Sequence, residues 1–136
     1  MAIYPTGEQF QELMKGPQDQ PVVMLNLLRF KPQADASHEG DSGLQAYTRY
    51  GTEMRKFVES KGGRFIWAGR VDSQVIGEGG EEFDVVALVE YPSRKAFSEI
   101  AQDPYVTENI GKHRAAGLEM QWLIAMTEAP SAGLPS

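Results

Sequence analysis

Apolar residues recur along this chain with two periods, and the switching between them lays out its elements. Residues 21–30, PVVMLNLLRF, are the most apolar run. β-Branched and large apolar side chains behind a proline at the first position predict a strand. Val22, Met24, Asn26, Leu28 and Phe30 fall on one face of it, and Val23, Leu25, Leu27 and Arg29 on the other. A half-solvated strand alternates apolar with polar, so this one is expected to be covered on both sides. Asn26 and Arg29 are its only polar side chains, both in its C-terminal half.

The other elements follow in order. Residues 6–15 predict a short helix, with Thr6 and Gln9 as a capping box, Phe10, Leu13 and Met14 on one face, and Gly16-Pro17 as the stop. Residues 31–42 are polar and aperiodic, a long loop in which His38 is expected to face solvent. Residues 43–61 predict the longest helix, with Leu44, Tyr47, Gly51, Met54 and Val58 as its stripe, flanked by Tyr50 and Phe57. Arg49 with Glu53 and Arg55 with Glu59 are spaced as i,i+4 ion pairs on its wet side. Residues 64–77 predict a second strand with a bulge at 72–74, residues 77–82 a hairpin turn, and residues 83–91 a third strand apolar on both faces. Ser93 caps the next helix, which turns Phe97, Ile100 and Ala101 inward. Asp103-Pro104 closes it and opens another helical segment, with Val106, Asn109, Ile110 and His113 on one face. Residues 118–126 predict the last strand, and the Pro/Ser/Gly stretch 129–136 a flexible tail.

Strand, helix, strand, strand, helix, strand is the ferredoxin-like split βαβ order. Right-handed crossovers put the first and third strands at the centre, the two that read apolar on both faces. The expected fold is therefore α+β: one domain over residues 1–136, its ferredoxin-like core at 21–126, with an antiparallel four-stranded sheet and helices on one face. Two helices cover one face only. The other still presents Val, Leu and Met, so a second copy is expected to dock there about a two-fold axis, giving a homodimer.

Composition narrows the partners. The net charge is -6 and no Lys/Arg cluster interleaves with aromatics, which argues against nucleic acid. There is no cysteine, so disulfides, thiolate catalysis and thiolate metal sites are excluded. Two histidines without cysteine make a metal site an unfavoured expectation, and no cofactor is called for. No apolar run reaches the ~20 residues that cross a bilayer, and no signal peptide is seen at the N-terminus, so a cytoplasmic protein without a membrane partner is expected.

Several short stretches together resemble a known family. They are MLNLLRFKP at 24–32, GLQAYTRYG at 43–51, Gly62-Gly63, VIG at 75–77, VEYPSRKAF at 89–97, DPY at 103–105 and HRAAGL at 113–118. In order and spacing this set resembles the family of domain of unknown function 1330, over most of the chain. The resemblance implies a dimeric α/β barrel, in which two four-stranded sheets close into one eight-stranded barrel. That wider group holds cofactor-independent monooxygenases, small-molecule isomerases, haem-degrading enzymes and proteins without known chemistry. Its pockets usually lie between sheet and helices.

No phosphate loop, nucleophile elbow or HExxH motif is present. The candidate site is a polar group around the apolar cleft. His113 is a candidate acid/base and Asn26 a candidate holder of an enolate or phenolate oxygen. Arg29, Tyr47, Tyr50, Trp67, Tyr91 and Arg114 are candidate substrate-binding residues, the arginines for a carboxylate and the aromatics for a planar ligand. Each has a plainer reading. Asn26 could bridge backbone groups and Arg29 pair with a carboxylate such as Glu90. The tyrosines and Trp67 could be packing residues, and His113 and Arg114 could close a helix C-terminus. Three functions remain open. The first is a small-molecule pocket, with cofactor-independent monooxygenase- or isomerase-like chemistry on a small enolisable or aromatic acid. The second is haem binding or degradation through Asn26, Trp67 and His113. The third is a non-catalytic dimeric ligand- or partner-binding module.

Overall fold

The computed structural model describes residues 2–129. The expected tail at 129–136 falls, apart from its first residue, outside the described residues. The elements are α1 (Gly7–Met14), β1 (Val22–Phe30), α2 (Gly43–Ser60), β2 (Arg64–Arg70), β3 (Val85–Tyr91), α3 (Arg94–Gln102), α4 (Gly111–Gly117) and β4 (Leu118–Met126). The four strands form one antiparallel sheet in the order β2-β3-β1-β4. The two strands that read apolar on both faces are the central pair. Pro21 precedes β1 without joining it, since a proline has no N–H for the ladder.

Capping fixes where the helices start. Thr6 and Ser42 open α1 and α2 with complete capping boxes through Gln9 and Gln45, and the Ser93 hydroxyl accepts from Ala96 N–H at the head of α3. Asp103 accepts from Tyr105 N–H at 2.8 Å and starts the next helical segment. That segment passes through a π-helical stretch, Val106–Ile110, before α4. Arg114 therefore lies in the last turn of α4, where a cation suits the helix dipole, and His113 one residue before that turn.

Cross-strand partners share a face, so the register separates the two sides of the sheet. On one side Val22, Met24, Val89 and Tyr91 meet Met54 and Val58 of α2, Ile100 of α3, and Val106 and Ile110. This is the core. Its closest seam is between α2 and α4, where a Cβ on either Gly43 or Gly117 would overlap the other's backbone. On the other side the rows Leu27–Val86–Trp122 and Leu25–Leu88–Ile124 run across the sheet, with no helix over them among the described residues. Trp67 joins the second row from β2 and is 60% exposed.

Three local expectations change. β2 stops at Arg70, because residues 71–84 leave the sheet as a long loop rather than a tight hairpin. The Gln74 side chain spans that loop, donating to Ile76 O at 2.6 Å and accepting from Gly80 N–H at 2.7 Å. Val75 and Ile76 at its tip are almost fully exposed. The register shift lies between Phe65 and Trp67 rather than at 72–74. Leu44 points to solvent, and Ala46 takes its expected inward place in the α2 stripe. No helix among the described residues is long and apolar enough to cross a membrane.

Candidate functional site

The core helices leave the β4 side of their face uncovered, and the chain's N-terminal segment and α1 roof it. Gln121 N–H donates to Ala2 O at 2.9 Å, tying that segment to the edge of β4. Between roof and sheet lies a cavity of about 670 Å³. Its walls are mostly apolar: Phe10 and Leu13 from α1, Met24 from β1, Phe97 from α3, and Leu123 and Ala125 from β4.

Its polar groups are few and directed. Arg114 donates through Nε and Nη2 to Gln121 Oε1 at 3.2 and 2.9 Å. A guanidinium can only donate, so the Gln121 amide is oriented, and its Nε2 donates to Asn26 Oδ1 at 2.9 Å. Asn26 Nδ2 then faces Met24 O and Ala87 O at 3.3 and 3.4 Å. Both of the anticipated roles of Asn26 are thus visible: it bridges backbone carbonyls and it ends a side-chain relay. Arg114 also donates to Ile3 O and lies 5.1 Å from the centre of the Tyr4 ring, clasping the roof.

Arg94 is the second cation of the cavity, and it is only 7% exposed. It donates to Leu13 O near the C-terminus of α1 and to the Thr127 hydroxyl, both at 3.1 Å. Among the described residues, neither Arg94 nor Arg114 has a carboxylate partner. Among the described residues, carbonyl, amide and hydroxyl dipoles are what face the two cations, with the Tyr4 ring beside Arg114.

Three of the candidate tyrosines lie at or near the core. Tyr47 and Tyr50 are half-buried on α2 with ring centres 5.2 Å apart, and Tyr47 also meets Phe30 at 5.2 Å. Tyr91 is buried edge-on against Phe97. Burial pushes all three phenols above their usual range, and for Tyr47 and Tyr50 the charge of Arg114 pulls weakly the other way. They are protonated donors at neutral pH.

The remaining candidates lie elsewhere. Arg29 pairs with Glu119 at 2.8 Å, while Glu90, its anticipated partner, pairs with Arg64. Trp67 belongs to the uncovered face. His113 turns away from the cavity toward the 31–42 loop and meets His38, Nδ1 to Nε2, at 2.7 Å. His38 is half-buried rather than free in solvent. Arg49 reaches Asp41 of the same loop at 3.1 Å, not Glu53, whereas Arg55 and Glu59 do pair. Asn26, Trp67 and His113 do not share one cavity, which removes the geometric basis of the haem reading. Among the described residues no group of three metal-ligating side chains converges.

Sequence reasoning missed Gln121, Arg94 and His38. Gln121 interrupts the apolar half of β4 on the face of Asn26, a signal readable only once the β1–β4 register is known. Arg94 reads from sequence as an ordinary charge in a first helical turn.

Comparison with known proteins agrees with this architecture. The family model described as domain of unknown function (DUF1330) matches residues 42–127. No curated protein matches. A crystal structure of a protein of unknown function from Rhodopseudomonas palustris is 37% identical, covering 91% of this chain and 94% of that one, with a TM-score of 0.81. The methylated form of that protein gives 36% identity, 92% and 93% coverage, and a TM-score of 0.82.

Proposed function

Since the chain belongs to the DUF1330 family, for which no function is defined, we propose from the geometry that it binds a small aromatic or enolisable carboxylic acid in the cavity between β4 and the N-terminal roof. The observation that carries this is a pair of cations, Arg94 and Arg114, on a largely apolar cavity whose one lining carboxylate among the described residues, Glu12, pairs with Lys15 and with neither of them. A buried charge left to dipoles alone is poorly compensated, and a ligand carboxylate would complete it. Phe10, Phe97 and Leu123 suit the apolar body of such a ligand. The Gln121–Asn26 relay fixes Arg114 for the encounter, whereas Tyr47, Tyr50 and Tyr91 do not line the cavity.

The reading is of a binding module first, because the candidate acid/base His113 does not line this cavity. It includes pairing of two copies through the uncovered sheet face, where Trp67, Trp122 and Ile124 are the most exposed apolar residues. Benzoate is a suitable probe. It is expected to raise the melting temperature of the wild type, and Arg114→Gln and Arg94→Met are expected to weaken that shift by tenfold or more in concentration. Benzoate shifts that are equal in wild type and both variants would remove the reading.

A further inference from the structure

A second depression, of about 450 Å³, lies on the far side of α4 and shares no lining residue with the cavity. It holds both histidines of the chain. Asp35 and Ser37 extend their contact into a chain of four side chains. Ser37 Oγ lies 2.5 Å from Asp35 Oδ1 and 2.8 Å from His38 Nδ1, and His38 Nε2 lies 2.7 Å from His113 Nδ1.

The direction of this chain follows from its end. A carboxylate accepts only, so Ser37 donates its single proton to Asp35. Ser37 therefore accepts from His38 Nδ1–H. A neutral His38 then has Nε2 as acceptor, and His113 must donate through Nδ1–H. What is left on His113 is Nε2 with its lone pair unused. The carboxyl of Asp35 is held below the usual carboxylate range chiefly by the Ser37 hydroxyl, which agrees with that direction.

The geometry is fastened. Asp35 N–H donates to Ala116 O, Lys31 N–H to Gly117 O, and Asp41 N–H to His38 O, at 3.1, 2.8 and 3.0 Å. The 31–42 loop is thus pinned to the C-terminal end of α4 and holds His38 in place. The same depression carries Lys112, which has no carboxylate partner among the described residues, while Arg49 is engaged with Asp41.

We propose that this is a proton-transfer site, in which His113 Nε2 is the general base toward a small 2-oxo acid whose carboxylate sits on Lys112, and His38, Ser37 and Asp35 are positioning residues. The inference does not depend on the cavity's ligand. In the step, a C–H bond next to the keto group breaks and its proton forms an N–H bond at His113 Nε2. The C–H electron pair becomes the carbon–carbon double bond, and the carbonyl pair moves to oxygen. The imidazolium formed donates through Nδ1–H along the chain that ends at Asp35. Return of a proton to oxygen gives the enol, and to carbon gives back the acid, so nothing is oxidised or reduced. The charged groups that face His113 are Lys112 on its own helix, Arg49 and Glu53 on α2, and Asp35, His38, Glu39 and Asp41 in the loop. Burial first, then Lys112 and Arg49 against the pull of Glu53, hold the His113 imidazole below its usual range when His38 is neutral.

The test is loss of the pyruvate methyl proton signal in deuterium oxide, followed by NMR. Wild type is expected to exceed buffer by the 10²–10⁴-fold typical of general base catalysis, with a rate that rises with pH and levels off near neutrality. His113→Gln should fall to the buffer rate with an unchanged circular dichroism spectrum. Lys112→Gln should raise the half-saturating pyruvate concentration more than it lowers the maximum rate. His38→Asn should lower the plateau and move the midpoint of the pH profile. Wild type no faster than His113→Gln overturns the site, and a His38→Asn profile superimposable on wild type overturns the chain. Benzoate thermal shifts on His113→Gln separate the two readings: shifts retained without exchange leave the cavity standing and remove this site.

Discussion

Val22, Met24 and Leu28 on one face of β1, and Val23, Leu25 and Leu27 on the other, are chemically alike. The first set is 1–2% exposed and the second is only half-buried. What separates them is what lies opposite. α2, α3 and the Val106–Ile110 stretch close over the first set, and among the described residues no helix closes over the second. Hydrophobicity marks a surface that must leave water, and the connectivity decides whether the same chain or another molecule covers it.

The sharpest way to break this comparison is to truncate one residue on each face. Leu28→Ala is expected to cost about 2–5 kcal/mol, the range for emptying a well-packed core site. Leu25→Ala should cost under half of that in the monomer, because its surroundings can relax into solvent. Urea unfolding of both variants, compared at low protein concentration, measures the difference, and equal losses would mean that both faces are closed within one chain.

A charge tests the uncovered face without disturbing the core. Ile124→Asp is expected to leave circular dichroism intact and to halve the mass measured by native mass spectrometry from two chains to one. A wild type already at 15.1 kDa would remove the paired-sheet part of the proposal.

A smaller effect concerns the roof of the covered face. Thr6→Ala removes the α1 capping box and should cost about 1 kcal/mol in stability. Because α1 closes the cavity, the benzoate shift should weaken in parallel, whereas the pairing of chains should not change.

The smallest effect is the pH dependence contributed by His113. Its folded-state pKa lies below the ordinary imidazole value of 6.5. Between that pH and the lowered pKa the unfolded chain binds more protons than the folded one, so this contribution to stability is full above about pH 6.5, falls as the pH drops toward the lowered pKa, and levels off below it. His113→Asn should flatten this slope in melting scans between pH 7 and 5, and an unchanged slope would assign it to other groups.

Much of the fold was legible in residue patterns. Periods of two and of about 3.6, capping boxes at Thr6 and Ser42, and the Gly62-Gly63 stop are local, so nearest neighbours in sequence suffice to read them. The residues 71–84 were less legible. Val75 and Ile76 look like strand continuation, and the bridging by Gln74 and the left-handed glycines Gly77 and Gly79 turn them out of the sheet. The candidate site was legible in type and not in grouping. Arg114 and Asn26 do meet, through Gln121, but Arg29 and Trp67 lie on the opposite face and His113 faces a different loop.

By itself, then, the sequence determined the elements, their order, and which strands are apolar on both sides. Those follow from backbone periodicity and side-chain size within a few residues. The tertiary structure alone decided that Arg94 loses its solvent and that His38 and His113, seventy-five positions apart, share a hydrogen bond. It also decided that the N-terminal segment closes a cavity. Such pairings depend on strand register and on where loops are pinned, and both are set by the whole packed assembly rather than by any stretch of it.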